Sequence, residues 1–134
     1  MEFLSARQQQ EFYGPDLDGR VRAIACELDL WSMWQYQKRM FCTAVLRTPA
    51  EQAAIYPNNP AKPSPHLDRP CRALDFRRIH FTAEELQALT AYFAHYWGRW
   101  HYKETGNPAA ILLVDDRGPA SPHLHLACFD VVDV

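Results

Sequence analysis

The order of segments in this chain predicts a single-domain α+β fold, with a small, mostly antiparallel sheet and flanking helices. Three observations carry that expectation. The elements read helix, strand, helix, loop, strand, helix, strand, strand, which is not the regular alternation of a doubly wound parallel sheet. The last two strands are separated by "RGPASP", residues 117–122, a turn-forming stretch that reads as a hairpin loop. The 134 residues show no break in composition, so they make one domain, 1–134, large enough to bury one core without disulfides.

Residues 1–15 are polar and end in "YGP", which suits a short helix or a docking arm. From Val21, apolar residues recur at helical spacing through Ile24, Ala25, Leu28 and Trp31, with Asp16 or Asp18 as N-cap. A helix over about residues 17–35 follows. Phe41, Thr43 and Val45 are β-branched or aromatic at period two, which predicts a strand ending at Arg47. "TPAE" then opens a helix: Thr48 caps it, Pro49 takes the first position and Glu51 completes a capping box.

"PNNPAKPSPHLDRPC" holds five prolines and can be neither a helix nor an inner strand. It is a loop, and it carries His66. "RALDFRR" reads as a short strand with Ala73, Asp75 and Arg77 on one face and Leu74 and Phe76 on the other. A second capping box, Thr82 with Glu85, opens a helix whose apolar stripe is Leu86, Leu89, Phe93 and Trp97. "AAILLVDD" and "HLHLACFDVV" are the closing strands.

Composition narrows the function classes. Hydrophobic residues make up 48% and charged ones 22%, with a net charge of −2, so bulk charge gives no reason to expect nucleic acid or anionic membrane as a partner. No apolar run approaches a membrane span. The opening "MEFLSARQQQ" lacks the basic-then-apolar pattern of a secretory signal, so synthesis in the cytoplasm is expected. The four cysteines form no CxxC pair, which argues against a zinc finger. Cys26, Cys42 and Cys128 sit in apolar runs and are expected to be buried free thiols.

Three places can carry chemistry. In "HLH", His123 and His125 point to the same face of a strand, where they can share a metal, or one can bind while the other handles a proton. Alone, the motif is weak and better suits a pair of exposed or hydrogen-bonded histidines. Asp75 lies between Leu74 and Phe76 in a half-buried strand and needs a partner: Arg72, Arg77, Arg78, backbone donors or a cation. Arg47 follows a strand and starts a helix, which suits either an oxyanion or carboxylate in a cleft or a salt bridge to Glu51. A His/Asp/His set leaves tetrahedral zinc one open position for water, the arrangement of a catalytic site.

"VLRTPAEQAAIY", "SPHLDRPCRALDFR" and "SPHLHLA" occur in that order over about residues 42 to 128. Together they resemble the zinc peptidases of peptidoglycan, the D-alanyl-D-alanine carboxypeptidases and phage L-alanyl-D-glutamate endopeptidases, whose fold is shared with the hedgehog signalling domain. The resemblance implies zinc held by His66, Asp75 and His125, with His123 handling the proton. It implies Arg47 on the substrate or the scissile carbonyl and Ser64 shaping the loop. Trp97 is a further expected groove residue, from the aromatic cluster "FAHYWGRWHY". Eight residues separate His66 from Asp75, two more than is usual in the family, so the extra residues are expected to bulge near Asp68–Pro70, and Asp68 competes as a ligand. Asp115 or Asp116 is the alternative base. The implied activity is zinc-dependent hydrolysis of an amide bond in stem peptides, by an endolysin-like endopeptidase or a D,D-carboxypeptidase, acting on the wall after release or as part of a virion. The alternative is a non-catalytic zinc-binding module of the same fold.

Overall fold

A computed structural model describes residues 1–102, 110–115 and 122–129. The expected α+β class is what they form: four α-helices and one mixed five-stranded sheet. The elements are β1 (Glu2–Phe3), α1 (Ala6–Tyr13), α2 (Gly19–Tyr36), β2 (Phe41–Ala44), α3 (Pro49–Ile55), β3 (Ala73–Arg77), α4 (Ala83–Trp97), β4 (Leu112–Asp115) and β5 (His123–Ala127). A 3-10 turn, Gly98–Trp100, extends α4. The "RGPASP" loop lies outside the described residues except for Pro122.

The helix starts follow local side-chain chemistry. Asp18 caps α2 by accepting from the Arg20 backbone amide at 2.9 Å. Thr48 and Glu51 close the capping box of α3, and Thr82 and Glu85 that of α4, each satisfying amides that helix geometry leaves without partners. At its other end α2 stops at Gln37, which takes the left-handed conformation.

The sheet runs β1-β2-β3-β5-β4, with every neighbouring pair antiparallel except β1 with β2. That parallel edge is two residues long, too short for a period-two pattern to reveal it. Of the short helix or docking arm expected over residues 1–15, the helix forms as α1, directly after this edge strand. β2 is shorter than the sequence suggests. Past Ala44 the backbone leaves the ladder: the Leu46 amide donates to Glu11 Oε1 at 3.3 Å, and the Arg47 amide to the His66 carbonyl at 3.1 Å. At the end of β5, Phe129 takes φ 61° and its amide donates to the Trp100 carbonyl at 2.7 Å.

Period-two alternation divides the sheet. Leu74 and Phe76 of β3 and Leu124 and Leu126 of β5 join Ile24 and Leu28 of α2 and Leu89 and Phe93 of α4 in one core. The opposite face carries Asp75, Arg77, His123 and His125. Asp75 pairs with His125 in register, and Arg77 with His123, so the backbone ladder sets the spacing of this group. Three cysteines, Cys42, Cys71 and Cys128, are buried free thiols, and burial pushes Cys42 up to about 12. The expectation for Cys26 is corrected: it is exposed. Its apolar neighbours Ala25 and Ile24 turn inward with Val21 and Leu28, and helical rotation leaves position 26 outside.

Candidate metal centre

Asp75 is the hub of the site. Its Oδ1 lies 2.8 Å from His125 Nδ1, 3.2 Å from His66 Nε2 and 3.4 Å from His123 Nε2. One ligand atom from each of His66, Asp75 and His125 fits within 4.8 Å of the others, a separation at which the three can hold one metal ion. All three residues are buried. The Asp75–His125 pair comes straight from the β3–β5 register. His66 arrives from outside the sheet and must be steered there.

The proline loop does the steering through hydrogen bonds. The Pro65 carbonyl accepts from the amides of Asp68 at 3.3 Å and Arg72 at 3.2 Å, which loops out the residues between. This is how eight intervening residues still return His66 to Asp75. Arg69 crosses the loop and donates to the carbonyls of His66 and Asp68, both at 2.9 Å, and of Arg47 at 3.2 Å. The Cys71 amide donates to the Asp16 carbonyl, and the Asp18 amide to the Cys71 carbonyl, so the loop is pinned to the start of α2. Asp68 faces elsewhere: its Oδ2 accepts from the Tyr102 hydroxyl at 2.8 Å, and it is not in the metal-holding set.

Two features of His66 suit a cation. Its Nδ1 lies 2.7 Å from the Val45 carbonyl, an acceptor only, so Nδ1 carries the proton and donates. In the neutral ring Nε2 then presents a lone pair, and that buried atom has no hydrogen-bond partner. Although Nε2 is 3.2 Å from Asp75 Oδ1, the alignment is not that of a hydrogen bond. A buried acceptor aimed at a carboxylate and another imidazole is costly unless a cation or a proton comes between them. Imidazole and carboxylate donors fit zinc and also other divalent metals.

Without a metal, a proton on His66 takes that place at neutral pH. Burial, the largest influence on both groups, pulls His66 down and Asp75 up. Their mutual attraction wins: Asp75, with the Cys71 thiol assisting, raises His66 to about 9, and His66 and His125 hold Asp75 well below the usual carboxylate range. A raised histidine stabilises the fold fully below its ordinary 6.5, and that contribution is lost as pH rises through about 9. The depressed carboxylate contributes above its ordinary 3.8 and is lost on acidification. Chelator-treated protein is therefore expected to show a lower urea midpoint at pH 9 than at pH 6.5. With zinc present the trend reverses over the same window, because the metal takes only deprotonated imidazole. Parallel denaturation curves with chelator and with zinc check both signs.

Arg47 joins the group rather than pairing with Glu51. Its Nη2 is 3.7 Å from Asp75 Oδ2, and its Nη1 donates to Gln52 Oε1 at 2.9 Å and Ser64 Oγ at 3.4 Å. Glu51 is taken by Arg7 through two 2.9 Å hydrogen bonds. Asp75 thus finds its arginine 28 positions away in sequence and not at the nearby Arg72, whose Nη1 donates to the Phe129 carbonyl. Ser64 Oγ also accepts from the His66 amide at 3.2 Å, shaping the loop as expected.

Side-chain exposure orders the histidines: 2% for His66, 9% for His125 and 15% for His123. His123 is the outermost, and Asp115 Oδ2 lies 4.0 Å from its Nε2. Asp116, the other carboxylate considered as base, lies outside the described residues. Trp97 packs at the margin of the core, ring to ring with Trp100 at 5.6 Å. Sequence reasoning missed Gln52, which is buried, orients the Arg47 guanidinium and donates to the Lys62 carbonyl at 2.9 Å. The signal was available: a polar residue inside a capped helix, five positions after Arg47. The chain matches no family model, no curated protein and no solved structure.

Proposed function

We propose that this chain is a zinc-dependent hydrolase of amide bonds, acting on peptidoglycan stem peptides. One observation carries the reading: a buried His66–Asp75–His125 set able to hold a metal, with an unligated histidine and an arginine both next to the same carboxylate. A purely structural site needs neither of those two. The substrate class is supported by the order of the three motifs, each of which has a residue in this group.

Zinc, when bound, supplies Lewis acidity and lowers the pKa of a coordinated water. The protein's own residues supply the rest. His123 takes a proton from the attacking water and returns one to the leaving amine, and Asp115 holds the imidazole in place. Arg47, fixed by Gln52 and Ser64, offers donors to the carbonyl oxygen as charge grows on it. Ser64 connects the two halves by binding both Arg47 and the His66 backbone.

The deep burial of the three metal-holding residues favours a second reading, a non-catalytic zinc-binding module. Digestion of purified muropeptides, resolved by mass, separates them. The peptidase yields shortened stem peptides in zinc and none with chelator. A protein that holds zinc and leaves every stem peptide intact supports the module and removes the peptidase.

A further inference from the structure

A second feature lies on the same face of the sheet. An open groove of about 440 Å³ runs along the β1–β2–β3 edge, over Phe41 and Arg77 and bounded by Glu2, Arg39 and His80. Arg77 follows Asp75 by two positions on β3, so its side chain leaves the same face about 7 Å along the strand. It sits opposite His123 in the β3–β5 register, between the metal centre and the groove.

The basic side chains of this groove are unequally engaged. Arg39 is 3.3 Å from Asp29 Oδ2, and His80 Nε2 is 3.1 Å from the Arg39 carbonyl. Arg77 sits over the Phe41 ring, its guanidinium carbon 3.9 Å from the centroid, and no carboxylate among the described residues pairs with it. Glu2 lines the groove without forming an ion pair to Arg77. A guanidinium held over an aromatic ring loses freedom there and keeps N–H donors to offer. Its planar fork suits two parallel hydrogen bonds to a carboxylate.

We propose that this groove is a subsite for a carboxylate of the bound peptide, with Arg77 as the recognising residue and Phe41 as its support. Its place as a substrate subsite rests on the peptidase reading; its preference for a carboxylate does not. The spacing sets the carboxylate about two residues from the bond at the metal centre, since an extended chain covers at most about 3.3–3.6 Å per residue.

The test uses the full-length protein and two synthetic stem peptides, one with a free glutamate carboxylate and one with that carboxylate amidated. Binding is measured by calorimetry on chelator-treated protein, so no cutting intervenes. The expected result is a preference of about tenfold for the free acid, erased in Arg77→Gln. Arg77 is exposed, so the variant is expected to keep the fold, and circular dichroism checks this. Equal binding of the two peptides by the unaltered protein overturns the subsite, as does a preference that survives in Arg77→Gln. Cleavage in zinc is read separately. Preference without cutting keeps the subsite and removes the peptidase reading; cutting without preference does the reverse.

Discussion

Replacing Asp75 with Asn is expected to abolish metal binding. The exchange keeps the size of the side chain and removes the one anion facing three imidazole nitrogens at 2.8 to 3.4 Å. An amide is a poor metal ligand, and its NH₂ end points a donor where a cation should be. Losing a mere supporting partner of a metal site costs about 10- to 100-fold in affinity, so loss of a direct ligand is expected to exceed about 100-fold. Titration calorimetry with zinc reads this. The same substitution leaves His66 buried without its carboxylate, and burial then pulls its pKa down, so the pH trend of chelator-treated protein should disappear. Breaking a buried pair costs about 3–5 kcal/mol, a large part of the roughly 5–15 kcal/mol of a whole domain. His125→Gln is the companion variant if Asp75→Asn does not fold. It removes the imidazole nitrogen 2.8 Å from the carboxylate and should lose zinc as well. An Asp75→Asn protein that binds zinc as tightly as the parent would show that the ion is held elsewhere.

The second large effect is expected at His123, and it separates chemistry from metal binding. His123→Ala should keep zinc, because His66, Asp75 and His125 remain. Stem-peptide cutting should fall about 10²- to 10⁴-fold, the usual share of a positioned acid–base group. Turnover and zinc content measured on one preparation decide the matter. Zinc lost together with activity would make His123 a ligand. Cutting unchanged would pass the proton role to another group, with Asp115, 4.0 Å from His123, the nearest carboxylate outside the metal-holding set among the described residues. Asp115→Asn provides the comparison: it removes support from His123 and should lower turnover less than His123→Ala does.

The sheet face of the site was legible because strands have a rigid period. "RALDFRR" and "HLHL" place Asp75, His123 and His125 by alternation alone, and the observed register brings them together. The capping boxes at Thr48 and Thr82 were legible because their chemistry is local and complete within four residues. How His66 and Arg47 are aimed depends on contacts distant in sequence. His66 is aimed by the Val45 carbonyl, 21 positions earlier, and by a loop closed on the Pro65 carbonyl. No pattern within the loop encodes either. Arg47 offered Glu51 at ideal helical spacing, yet Arg7 from α1 claims that carboxylate from 44 positions away and leaves Arg47 to the site. Cys26 shows the opposite failing. An apolar run suggested burial, but a helix turns every residue by a fixed angle, and the rotation overrides composition. The two-residue β1 is set by its pairing with β2 and carries no signal of its own.

The expected loss of metal at Asp75 and of turnover at His123 both rest on one ion at Asp75, and metal content tests that most directly. The full-length protein is stripped with chelator, reloaded with excess zinc, dialysed exhaustively and assayed by mass spectrometry of the elements. About one zinc per chain, falling to none in His125→Ala, is the predicted result. No retained zinc in the unaltered protein would contradict the account, leaving His66, Asp75 and His125 as a buried hydrogen-bonded cluster and nothing more.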